Sequence, residues 1–199
     1  MKLQNLLALS LLTILTISGC GGDGDSPDGT SPSTEATTQE PLVIDGYTLP
    51  PDPGEAGKAT LLGIDSNDNG IRDDVERAIY LTYNRPMERE IVIQFAREFE
   101  MVMKDPIAMA TSEEFQKISF KSLACAGYLR VNYNLDLDKK YKESPITFLL
   151  NSYMNTKDRI KARMEWNGAS SGGVYSVPGI EDNSADACDF NITEVIESY

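Results

Sequence analysis

The stretch from Asp65 to Glu76, DSNDNGIRDDVE, constrains the path of this chain more than any other part of it. Side chains bearing oxygen recur at every second position, at Asp65, Asn67 and Asn69, so all three can converge on one point. Gly70 stands where a sharp turn calls for positive φ, which a residue without Cβ adopts freely. Asp73, Asp74 and Glu76 follow at the start of a helical pattern, where carboxylates complement the helix dipole. A chain with this stretch has to turn tightly at Gly70 and leave the turn as a helix.

The same twelve residues meet the spacing of a calcium loop at every specified position. The expected ligands are the side-chain oxygens of Asp65, Asn67 and Asn69, the main-chain carbonyl of Ile71, Asp73 directly or through water, and both oxygens of Glu76. That makes about seven oxygens, which suits Ca²⁺ better than the six that Mg²⁺ prefers. Only Asp65, Asp73 and Glu76 carry charge, so affinity should be modest, on the order of 10⁻⁴ M or somewhat tighter, as in extracellular modules. An Asx-rich turn that only caps a helix would use some of the same residue types.

The loop resembles EF-hand loops, with two departures. The eighth position, apolar where two loops pair, is Arg72 here, and no second loop follows. The preceding GEAGKATLLG is also a poor incoming helix. Isoleucine after the glycine, with aspartate two residues on, is closer to single bacterial loops and thrombospondin type 3 repeats. The resemblance implies a structural clip rather than a paired sensor. The wider segment GYTLPPDPGEAGKATLLGIDSNDNGIRDDVERAIY, about a fifth of the chain, resembles one found in proteobacterial outer-membrane lipoproteins. It implies a location and a loop, and no activity.

The N-terminus reads as a leader over residues 1–19. Lys2 gives a positive start, and Leu6 to Ile17 is an apolar run too short to span a bilayer. It ends at Ile17-Ser18-Gly19-Cys20, which resembles the lipobox of bacterial lipoproteins. The resemblance implies a diacylglyceryl group on the Cys20 thiol. Gly21 in place of aspartate points by the family rule to the outer membrane. Residues 20–40, rich in Gly, Ser, Thr and Asp, cannot bury enough apolar surface to offset the entropy of ordering. They read as a tether with a reach of about 25 Å.

Residues 41–199 read as one all-α domain of about four helices, with the loop before the first helix and an irregular C-terminal tail. The first helix is expected from Asp74 to about Tyr83 and the second from Pro86 to Lys104, with Ile91, Phe95, Phe99, Val102 and Met103 as its buried stripe. Asp105-Pro106 ends the second. Thr111 and Glu114 have capping-box spacing for a third helix reaching about Tyr133, with Phe115, Ile118, Cys125 and Leu129 inward. Residues 134–140 read as a turn. Ser144-Pro145 opens a fourth helix that runs to Asn167-Gly168, with Ile146, Leu149, Leu150, Tyr153, Ile160 and Met164 buried.

Of three cysteines, Cys20 is assigned to the lipid. Cys125 and Cys188 are left as an even pair in an oxidising compartment, and a disulfide between them is expected. The chain has no histidine, which excludes Ser-His-Asp and Cys-His sites and removes the commonest general base. A net charge of −13 disfavours nucleic acid and anionic lipid surfaces and favours cations or a basic partner. Two functions remain. One is a non-catalytic envelope module that binds a protein or glycan. The other is a carboxylate-dependent hydrolase, for which Glu98, Glu100, Glu113, Glu114, Asp136 and Asp138 are the candidates.

Overall fold

The computed structural model describes residues 40–173 and 183–197. Leader, Cys20 and almost all of the linker lie outside them. The fold class is all-α: eight α-helices and one two-stranded hairpin among the described residues. No helix there is long and apolar enough to cross a membrane.

The hairpin pairs β1 (Val43–Ile44) with β2 (Tyr47–Thr48). Asp45 and Gly46 both take positive φ, 49° and 79°, as two-residue hairpin turns require. A 3₁₀ turn at Ala56–Lys58 precedes the loop. Then come α1 (Asp73–Thr82) and α2 (Pro86–Lys104), close to the expected spans. The central helix is α2: Ile91, Phe95, Phe99, Val102 and Met103 are all buried. It packs against α1 and against the later helices described next.

Asp105-Pro106 does more than end α2. The Asp105 carboxylate accepts the Ala108 N–H at 3.0 Å and, with proline in the first turn, launches α3 (Pro106–Thr111). Thr111 therefore ends a helix instead of capping one. Ser112 is the N-cap of α4 (Glu113–Tyr133), its hydroxyl accepting the Phe115 N–H at 3.1 Å. Asn134, in the left-handed region at φ 51°, closes α4. Part of the expected turn is itself a helix, α5 (Leu137–Tyr141), capped by Asp136. The buried Glu88 of α2 holds α5 in place by accepting from Lys140 and from the Tyr141 hydroxyl, both at 2.6 Å.

The expected fourth helix is two, α6 (Pro145–Tyr153) and α7 (Lys157–Ser170). Thr156 caps the second, accepting the Arg159 N–H at 3.3 Å. The break at residues 154–156 re-aims the helix, and its inward residues become Arg159 and Ala162. Ile146, Ile160 and Met164, read as core, are exposed, Met164 by 67%. Leu149 and Tyr153 are buried as expected.

The described part of the tail, expected to be irregular, holds a 3₁₀ turn at Ala185–Ala187 and α8 (Ile192–Glu197). Cys188 is bonded to Cys125 of α4, across 63 residues of sequence. Gln94 of α2 grips the chain on both sides of Cys188. Its amide donates to the Ala187 carbonyl at 2.9 Å and accepts the Asp189 N–H at 3.1 Å.

Candidate metal centre

The loop from Asp65 to Glu76 is closed by its own backbone. The Asp73 N–H donates to the Ile64 carbonyl at 2.8 Å, and Gly70 turns the chain at φ 84°. The Asp65 carboxylate gathers the N–H groups of Asn69 at 3.2 Å and Gly70 at 2.9 Å, so the first position reaches over the turn. Asn67 Oδ1 accepts the Asn69 N–H at 3.3 Å, Asn69 Oδ1 accepts the Ile71 N–H at 2.9 Å, and Asp73 Oδ1 accepts the Ser66 N–H at 2.9 Å. Asn67 and Asn69 are exposed, while Ile71, Asp73 and Glu76 are buried. The loop thus has a solvent side and a core side.

Glu76 is brought back from α1 to the third position: Asn67 Nδ2 donates to its Oε2 at 3.1 Å. Its Oε1 accepts the hydroxyl of Tyr47, from the hairpin, at 2.6 Å. Burial first, then the bond to Glu76 and its charge, push the Tyr47 phenol up to about 12. The ring of Tyr47 stacks on Tyr80 of α1, centroids 4.8 Å apart.

In chemistry the donors fit a hard cation: carboxylate, amide and carbonyl oxygens in the expected order. Asp65, Asp73 and Glu76 are not drawn into one triad, for no three acidic or sulfur side chains among the described residues group closely enough to hold a metal. Their oxygens are engaged instead with N–H and O–H donors of the loop and hairpin. Asp65, Asn67, Asn69 and Glu76 would hold the ion with the Ile71 carbonyl, and Asp73 would complete the set.

Arg72, in the eighth position, is 1% exposed and moors the loop to the core. Its N–H donates to Glu100 of α2 at 2.9 Å. Its guanidinium grips both oxygens of Asp74, at 2.8 and 2.9 Å, and lies 4.9 Å from the Tyr153 ring centroid. The Tyr153 hydroxyl donates to the same Glu100 oxygen at 2.9 Å. Burial would raise the Asp74 carboxyl, but the bonds and charge of Arg72, helped by Asn155 and Arg159, outweigh it and hold the group below its usual value. For Glu100 burial prevails and the carboxyl is raised. A second buried arginine, Arg159, gathers the carbonyls of Gly57, Thr60 and Leu61 ahead of the loop. Gly63 is needed here, because a Cβ would meet Arg72 Cδ at 2.7 Å in a backbone at φ 71°.

The candidate catalytic carboxylates are dispersed. Glu100 is buried in the Arg72 network, because its oxygen answers an N–H that the loop delivers to α2. Glu98 accepts the Ser119 hydroxyl at 2.6 Å. Glu113 and Glu114 are exposed in the first turn of α4. Asp136 and Asp138 do share a cavity, of about 350 Å³, walled by Ile91, Phe95 and Leu135 with Arg130 also in its lining.

Tyr47 was not among the residues expected at the loop. Its signal was the Asp45-Gly46 pair between apolar residues, a hairpin turn sequence. The chain matches no known family, no curated protein and no solved structure.

Proposed function

We propose that the protein is an envelope-anchored, calcium-binding lipoprotein, held in the outer membrane through a lipid on Cys20. On this reading its body is a non-catalytic module that binds a protein or glycan. The observation that carries it is the return of buried Glu76 to Asn67, with Asp65 folded over Asn69 and Gly70 in the same turn. The first, third and twelfth positions of the motif thereby share one loop. Arg72 supports a single structural site, since it occupies the eighth position with core contacts where paired loops meet each other.

Binding confined to the folded state stabilises it by about 2.7 kcal/mol at a hundredfold excess over the dissociation constant. Millimolar calcium should therefore raise the melting temperature, magnesium should do so much less, and Glu76→Gln should remove most of the gain. A melting temperature indifferent to calcium and to chelator would reduce the loop to an Asx-rich helix cap. For the anchor, Cys20→Ala should abolish incorporation of labelled fatty acid and release the protein from outer-membrane fractions. Labelling that persists in the variant would overturn the assignment.

The hydrolase reading has one observation in its favour, the presence of Asp136 and Asp138 at a single cavity. Asp136 is already engaged, its carboxylate accepting the Lys139 N–H at 3.0 Å. Turnover of an envelope glycan that is lost in Asp138→Asn would favour this reading over the binding module.

A further inference from the structure

One residue from outside the twelve reaches into the loop. The Tyr47 hydroxyl donates to Glu76 Oε1 at 2.6 Å and accepts from Asn67 Nδ2 at 3.2 Å. Asn67 Nδ2 also donates to Glu76 Oε2 at 3.1 Å. The phenol oxygen therefore stands between the side chains of the third and twelfth positions, and a donor holds each Glu76 oxygen. The hairpin that carries Tyr47 is also fastened at points outside the loop. Asp45 pairs with the buried Arg89 of α2, the Tyr47 ring lies on Tyr80, and Leu49 is buried.

A divalent cation takes oxygens and repels N–H and O–H groups turned toward it. To bind in the order of the motif, the loop has to turn the Asn67 amide so that Oδ1 faces inward, and that breaks both Nδ2 contacts. Glu76 then has to give the ion the oxygens that now accept hydrogen bonds. Hydrogen bonds to a carboxylate are among the stronger ones, so this exchange weighs on the affinity.

Taking the loop as a calcium site, we propose that Tyr47 is its competing arm: the Tyr47 hydroxyl and calcium draw on the same Glu76 carboxylate. Calcium entry then loosens the hairpin at residues 43–48, and docking of the hairpin weakens calcium binding. The two are linked reciprocally: calcium weakens docking of the hairpin by the same factor by which docking weakens calcium binding.

The test is calorimetric titration of the folded protein with calcium, comparing wild type with Tyr47→Phe and Asp45→Asn. Tyr47→Phe keeps the ring on Tyr80 and removes only the hydroxyl. It should bind calcium about tenfold more tightly, the effect expected of one hydrogen bond to a charged group. Asp45→Asn touches no loop residue and should tighten binding in the same direction by a smaller factor, about twofold. Amide hydrogen exchange across residues 43–49 should speed up on adding calcium to the wild type. If the wild type binds calcium and Tyr47→Phe binds equally or more weakly, Tyr47 only positions Glu76 and the competition is overturned, while the calcium reading stands. Binding by Tyr47→Phe alone supports the competition. If neither protein binds calcium well above the millimolar range, the calcium reading fails and the competition with it.

Discussion

The main-chain N–H of Arg72 donates to Glu100 Oε1 at 2.9 Å, which bonds the eighth position of the loop to α2. In paired calcium loops that position faces a twin. Here a helix of the same domain takes the twin's place, and the guanidinium completes the mooring on Asp74 and Tyr153.

Arg72→Ala should therefore cost about 3 kcal/mol, the low end of what breaking a buried pair costs, because Asp74 keeps some solvent. Denaturant unfolding measures this directly. Lys58→Ala breaks only the exposed pair with Glu55 and should shift stability by less than about 0.5 kcal/mol.

Two carboxylates should respond to pH in opposite senses. Burial raises the Glu98 carboxyl, and the hydroxyls of Ser119 and Ser122 offset only part of it. The folded state thus takes up this proton more readily than the unfolded state, so ionised Glu98 weakens folding at neutral pH. Glu98→Gln should raise the melting temperature at pH 7, and the gain should fade as pH falls through the raised folded value and be gone below the ordinary glutamate value of roughly 4.3. The Asp74 carboxyl is lowered in the folded state, so its stabilisation is present above the ordinary aspartate value and lost as pH falls through the folded value. Asp74→Asn should destabilise at pH 7 and matter progressively less in acid. Parallel melting curves across pH check both signs.

Within the loop, two positive-φ residues should behave differently. Asp68 sits at φ 53° and supplies no expected ligand, and asparagine tolerates that conformation well, so Asp68→Asn should leave both stability and calcium response nearly unchanged. Gly70→Ala puts a Cβ at φ 84° and should cost about 1 kcal/mol or more, although no atom lies within 4 Å to clash with it.

Much of the architecture could be read from local chemistry. The spans of α1 and α2 follow from acids, proline and a 3.6-residue apolar stripe. So does the start of α6, where the Ser144 hydroxyl accepts the Thr147 N–H. The break before α7 was hidden because Ile160 and Met164 continue the period of α6. Only the pull of Arg159 on carbonyls about a hundred residues earlier gives that break its purpose. The loop was legible because its ligands are close in sequence. Its mooring was not, since Arg72 and Glu100 stand 28 residues apart and a charged residue reads as surface until its buried partner is known. Tyr47 was missed for a related reason, lying 29 residues from Glu76 on strands of two residues each.

The bond between Cys125 and Cys188 should be recovered as one crosslinked peptide in non-reducing mass mapping. Replacing both cysteines with serine should lower stability by up to about 4 kcal/mol on chain-entropy grounds for a 63-residue closure. Quantitative thiol labelling of the unreduced, denatured protein would contradict the pairing.

That crosslink also settles what a cut in the chain would do. A protease that nicked the backbone anywhere between Cys125 and Cys188 would yield a two-chain molecule, not two fragments. The shorter piece would carry α8 and stay tied to α4 through sulfur, with Gln94 still clasping the backbone beside the joint. Such a nicked protein would run as a single species on a gel until reductant was added.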